Sequence, residues 1–105
     1  MPTEHKKRIL HQATVTRVLE GDGQASQAKR RAAFDNAGLS EPISTLVNKV
    51  AKYAYKITDE DIAAAKASGL SEDELFEIII CAATGEATRQ YETALLALDA
   101  VVMRE

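Results

Sequence analysis

The chain has 105 residues, 46% of them hydrophobic and 28% charged, with a net charge of −3. That is enough apolar material for one domain with its own core, and the acidity argues against a broad nucleic-acid-binding surface. The longest apolar run, Ile78 to Ala83, is six residues, too short for a membrane span or for the apolar stretch of a secretory signal.

Proline and glycine together number seven, and alanine is abundant, so helix is favoured over strand. A single cysteine, Cys81, allows no internal disulfide. With no export signal in view, the expected compartment is the cytoplasm. The expected organisation is one domain over 1–105, with residues 1–7 polar and frayed.

From about Lys7 to Glu20 a loose stripe of Ile9, Leu10, Ala13, Val18 and Leu19 predicts a first helix. Gly21-Asp22-Gly23 ends it. A second is expected over Ser26 to Asn36, with Ala28, Ala32, Ala33 and Phe34 inward and Lys29-Arg30-Arg31 outward. Ser40 and Pro42 then open a third, whose Ile43, Leu46, Val47, Val50, Ala51 and Ala54 follow the i, i+3, i+4, i+7 spacing. Thr58 with Asp61 supplies a capping box for a fourth, carried by Ile62 to Ala67 and stopped by Ser68-Gly69. Five helices on short turns, without strand patterning, make an all-α bundle.

The fifth helix is the long one. Ser71 and Glu74 form a second capping box, and no proline follows. One rod from Glu72 to Met103 would span roughly 48 Å, against a radius of gyration of about 13 Å for a compact domain of this size. On the wheel, Leu75, Phe76, Ile79, Ala82 and Ala83 share a face that leads on to Glu86, Arg89, Gln90 and Thr93. Tyr91, Leu95, Leu98 and Val102 form a second stripe more than 100° round. Two offset stripes predict a bend near Thr84-Gly85, or halves that face different partners, the second of them a neighbouring subunit.

Charge is divided along the chain. Residues 1–56 hold ten Lys/Arg against five Asp/Glu, and residues 57–105 hold three against eleven. Solvated helix faces explain this, as does complementarity between packed halves or subunits.

Residues 55–98, YKITDEDIAAAKASGLSEDELFEIIICAATGEATRQYETALLAL, resemble the core of the carboxymuconolactone decarboxylase superfamily, which includes alkylhydroperoxidase D. The shared pattern is a short helix ending near glycine, then Gly69-Leu70-Ser71-Glu72-Asp73-Glu74-Leu75 opening a long one. Residues 20–56 resemble the front part of small members, so the likeness covers roughly residues 17–100. It implies an alkylhydroperoxidase D-like bundle that forms a homo-oligomer.

The peroxidase branch of that superfamily carries a Cys-x-x-Cys-x-x-x-His motif. Its positions fall near Ala54, Ile57 and Asp61 here, and the glutamate that accompanies it near Glu41. A dithiol relay needs a low-pKa thiolate beside a resolving thiol, and this chain supplies neither. Cys81, inside an apolar run with no cation within a helical turn, is expected to be an inert buried residue. His5 and His11 lie six apart with no cysteine nearby, so they are expected at the surface and no metal or cofactor is called for.

The candidate site is therefore the polar cluster Glu86, Arg89 and Gln90. Arg89 could hold a small carboxylate and Glu86 could move a proton, or the two could form an i,i+3 ion pair on a rim or interface. Tyr53, Tyr55 and Lys56 could line a pocket mouth or form a half-buried helix end. The expected function is a small superfamily member without dithiol peroxidase activity, binding a carboxylate in an oligomeric pocket. The alternatives are a non-catalytic interaction module docking through the Ile78–Ala83 surface, and a small nucleic-acid-binding regulator. In the latter, Lys29-Arg30-Arg31 and the turn before Lys49 and Lys52 would form a helix-turn-helix.

Overall fold

In the computed structural model, which describes the backbone of residues 2–104 and the side chains of 6–103, helix α5 (Glu72–Arg104) is one uninterrupted rod of 33 residues. The other helices are arranged along it: α1 (Pro2–Glu20), α2 (Gln27–Asp35), α3 (Ile43–Lys52) and α4 (Asp59–Ala67), with a 3-10 turn at Ala54–Lys56. The chain is all-α, with five α-helices and no strand among the described residues. Its radius of gyration is 15.9 Å and its longest dimension 54 Å, well beyond the roughly 13 Å radius of a compact domain this size. The rod does overshoot its domain.

The helix starts follow from local chemistry. Ser26 Oγ accepts from the Lys29 amide at 3.1 Å, and Asn36, at φ 53°, closes α2 in the left-handed region. Thr58 and Asp61 cap each other's backbone at the head of α4. Ser71 and Glu74 do the same for α5, whose first turn carries Glu72, Asp73 and Glu74 toward the positive helix end. Helix α3 differs from expectation. Ser40 lends only its backbone carbonyl, to the Ser44 amide, and no side chain caps the helix.

The core is built by α2, α3 and α4 on the first half of α5. Ala33, Ile43, Leu46, Val47, Ala65, Leu70, Leu75, Ile78, Cys81 and Ala82 are buried in one cluster. This corrects the wheel in two places. The inward face of α5 is Leu75-Ile78-Cys81-Ala82, whereas Phe76 is 64% exposed and Ala83 lies on the surface. Within the Ile78–Ala83 run, Ile78, Cys81 and Ala82 are buried inside the subunit, which leaves mainly Ile80 and Ala83 exposed for docking.

Gly85 marks no break in α5. It is buried where the end of α2 comes closest, and a Cβ there would collide with the Phe34 carbonyl. A face centred on a residue without a side chain is invisible to a hydropathy wheel, so the wheel sets the stripe too far round.

Helix α1 runs antiparallel to the second half of α5. Cys81 Sγ lies 3.6 Å from the Val18 carbonyl, His11 Nε2 is 3.0 Å from Thr88 Oγ1, and the His11 ring packs on Tyr91 at 5.1 Å. The second stripe of α5 therefore faces α1 of the same chain. Tyr91 and Leu95 are half-buried by it, while Leu98 and Val102, nearer the tip, stay exposed. His11 is half-buried, not a surface residue; the side chain of His5 lies outside the described residues.

In α1, Val18 and Leu19 pack inward but Ile9, Leu10 and Ala13 are exposed. Residues 2–7 are helical rather than frayed, and Met1 lies outside the described residues. Ala28 is exposed on α2, and Ala54 is exposed in the 3-10 turn.

Gly85→Ala should destabilise the fold by about 1–3 kcal/mol, roughly 5–15 °C in Tm, because overpacking against a backbone carbonyl outweighs the ~1 kcal/mol helix-propensity gain of alanine. Thermal melting followed by circular dichroism measures this; a Tm that rises would mean that α2 yields freely there.

Candidate functional site

Three helices converge beyond the end of α2. Glu86 and Arg89, at i and i+3 on α5, pair through Arg89 Nη2 and Nε to Glu86 Oε2 at 3.0 and 3.3 Å. Arg89 Nη1 also donates to the Phe34 carbonyl at 2.7 Å, placing a guanidinium at the negative end of α2. Gln90 Nε2 reaches Glu86 Oε1 at the limiting distance of 3.5 Å. The structure thus brings Glu86, Arg89 and Gln90 together, and it gives Arg89 a tertiary role, joining α2 to α5.

These residues border an open cleft of about 690 Å³ whose other walls are Asp35 and Asn36 from the α2 end, Lys52 from the last turn of α3, and Thr93, Ala94 and Ala97 of α5. Lys52 makes no ion pair among the described residues. A guanidinium has five N–H donors. Three are used in the bonds above, which leaves one on each terminal nitrogen of Arg89. Asp35, Asn36 and Lys52 were not legible as site residues, because only the tertiary fold carries the ends of α2 and α3 to the middle of α5.

A second groove of about 470 Å³ adjoins the first through Asn36 and is lined by Glu41, Ser44, Thr45, Asn48, Lys49, Tyr53 and Lys56. The Lys56 ammonium lies 5.0 Å from the Tyr53 ring centre and 5.9 Å from that of Tyr55. Tyr53 and Lys56 do line a groove, whereas Tyr55, 81% exposed, stands outside it. Glu41 is engaged by the Thr45 hydroxyl.

Where the dithiol motif would fall, Ala54 begins the 3-10 turn, Ile57 follows it, and Asp61 is a capping residue that also accepts from Lys49 Nζ at 2.8 Å. That lysine bond, followed by the Thr58 amide, holds the Asp61 carboxyl below its ordinary range.

Cys81, in the core cluster, borders a polar group of residues that its sequence neighbours do not reveal. Arg30, expected outward, is buried at 6% exposure. Its Nη1 donates to the Gly21 and Val18 carbonyls at 2.6 and 3.3 Å, closing the end of α1. Glu77 accepts from the Gln24 and Ala25 amides at 2.6–3.0 Å, and a Cβ on Gly23 would meet its carboxylate. Those amides, the Ala25 bond foremost, hold the Glu77 carboxyl below its ordinary range. A cation thus does face Cys81, across the fold rather than within a turn. Burial nonetheless outweighs Arg30 and pushes the thiol up, with Glu77 adding to the rise.

Among the described residues no group of His, Cys, Asp and Glu could hold a metal ion, and no helix is long and apolar enough to cross a membrane. Comparison of the chain with protein-family models, with curated proteins and with solved structures gives no match.

Two outcomes are expected. Glu77 and Asp61 titrate lower folded than unfolded, so the unfolded chain binds more protons in acid. The stability they add is present above the free-carboxyl values of 4.5 and 3.8 and is lost as pH falls below them. Glu77→Gln should flatten the fall in Tm between about pH 5 and pH 3; an unchanged slope would assign the acid sensitivity elsewhere. Cys81, buried and with a raised pKa, should react with a thiol reagent only as fast as the chain unfolds, and rapid labelling of folded protein would contradict its placement.

Proposed function

We propose that this is a small cytoplasmic protein of the carboxymuconolactone decarboxylase-like kind, working as a homo-oligomer without dithiol peroxidase chemistry. In this reading it holds a small carboxylate ligand in the cleft at the middle of α5. The observation that carries the ligand reading is convergence: Lys52, the two uncommitted donors of Arg89, and the amides of Asn36 and Gln90 border one opening that has an apolar wall of Ala94 and Ala97.

Such a cleft suits a ligand with a carboxylate at one end and a compact apolar body at the other. Asp35 and Glu86 on the rim set its selectivity, since a second negative charge on the ligand would meet them. In the same reading Glu86, paired to Arg89, exchanges a proton with the bound molecule. The thiol has no part in this reading, because Cys81 lies buried in the core cluster.

A second reading, a non-catalytic assembly module, is favoured by the exposed apolar residues toward the tip of α5. A helix-turn-helix role gains no such support. The turn between α2 and α3 is flanked by Asp35 and Glu41, which would repel a phosphate backbone.

Titration calorimetry or amide-shift titration with benzoate and short aliphatic monocarboxylates tests the ligand reading. Saturable binding should weaken about 10- to 100-fold in Lys52→Ala and in Arg89→Lys, the loss expected for a charge-assisted hydrogen bond of about 1.5–3 kcal/mol. Absence of binding at millimolar ligand, or binding indifferent to both substitutions, would sink it.

A further inference from the structure

The distal half of α5 has far less cover than the proximal half. Helix α2 ends level with Gly85 and Arg89, and α3 borders the distal half of α5 only across the cleft, at Lys52. From Tyr91 to Arg104, roughly 21 Å at ~1.5 Å per residue, α5 therefore has α1 as its main companion. The two helices make an arm. Of the eleven large hydrophobic residues exposed among the described ones, seven lie on it: Ile9 and Leu10 of α1, and Leu96, Leu98, Val101, Val102 and Met103 of α5.

These residues form no single stripe. At ~100° per residue, the five on α5 are spread over more than half of its circumference. A helix apolar on most sides belongs inside a bundle, and one neighbouring helix cannot enclose it. A second arm supplies the two further helices that a four-helix bundle needs.

We infer that the α1–α5 arm is the assembly surface, and that it packs antiparallel against the same arm of a second copy to form a four-helix bundle with a body at each end. The inference rests on the homo-oligomeric part of the function proposed above. It is independent of the ligand.

Charge selects the arrangement. The cations of α1 include Lys6, Lys7 and Arg8 on its outer half, whereas Glu92 and Asp99 are the only charged residues of α5 between Gln90 and Met103. Each arm thus has one basic and one acidic helix. A two-fold axis that sets α1 beside α5 of the partner pairs opposite signs at both contacts, whereas one that sets α5 on α5 opposes acid to acid. The bodies choose the direction, since parallel arms would bring both sets of α2–α4 helices to the same end. The antiparallel register within the chain puts Lys6 level with Thr93, so full overlap of two arms brings Asp99 within about one helical turn of Lys6 of the partner subunit.

Sedimentation equilibrium and light scattering on the full chain test this. Wild type should be dimeric at roughly 100 µM if the arms bury a standard interface of about 800 Å² per partner. Leu96→Glu with Val102→Glu should give a folded monomer, because both side chains are exposed in the single chain and circular dichroism should be unaltered. Asp99→Lys should weaken the dimer about tenfold, and adding Lys6→Glu to the same chain should restore it. An oligomer indifferent to these four substitutions would overturn the arm while leaving oligomerisation in place. A strictly monomeric wild type, whether free or bound to phosphatidylglycerol vesicles, would overturn both.

Discussion

The close approach of α2 to α5 is the constraint on which the rest of the fold depends. At Gly85 the two backbones meet, with the Phe34 carbonyl in the space that any side chain would fill. A contact this short leaves the carbonyls at the α2 end in need of donors, and Arg89, one turn further along α5, provides one. The missing Cβ and the guanidinium are therefore parts of a single joint. With α2 seated, its other end is held through Glu77, and α1 is in turn held by Arg30. The candidate cleft is a by-product of the same joint, because it opens where α2 stops and α5 continues.

The helices were legible in the sequence because the signals that set them are local. Ser71 with Glu74 and Thr58 with Asp61 each place a cap three residues from its partner, and both boxes form as spaced. The length of α5 followed from the absence of a breaker. The residues that resist sequence reading are those whose partner lies far along the chain. Arg30 stands in a run of three cations and looks solvated, yet the carbonyls nine and twelve residues before it draw it into the core. Lys52 looks like the outer edge of an amphipathic helix until the fold sets it across from Gln90. Gly85 carries no hydropathy signal beyond its own rarity in helices.

The same distinction applies to the site. Glu86, Arg89 and Gln90 could be grouped because they share one turn of one helix, and their mutual hydrogen bonds follow from i, i+3 and i, i+4 geometry. What surrounds them could not be grouped that way. Cys81 is buried, as its apolar run implies, but the sequence shows only those cations that lie within a turn of it. The actual surroundings set a buried guanidinium against desolvation, and desolvation prevails.

Helix α1 is attached unevenly. Its last turn is clasped by Arg30 and abuts Cys81, its middle rests on Thr88 and Tyr91 through His11, and Ile9 and Leu10 touch little. The cost of lifting a segment off the protein scales with the contacts that segment alone would lose. In a single chain, opening of α1 is therefore graded along its length, cheapest at its outer end and approaching the global unfolding free energy only at the Gly21 turn. Fraying toward that clasp gives the arm a soft tip on a rigid base.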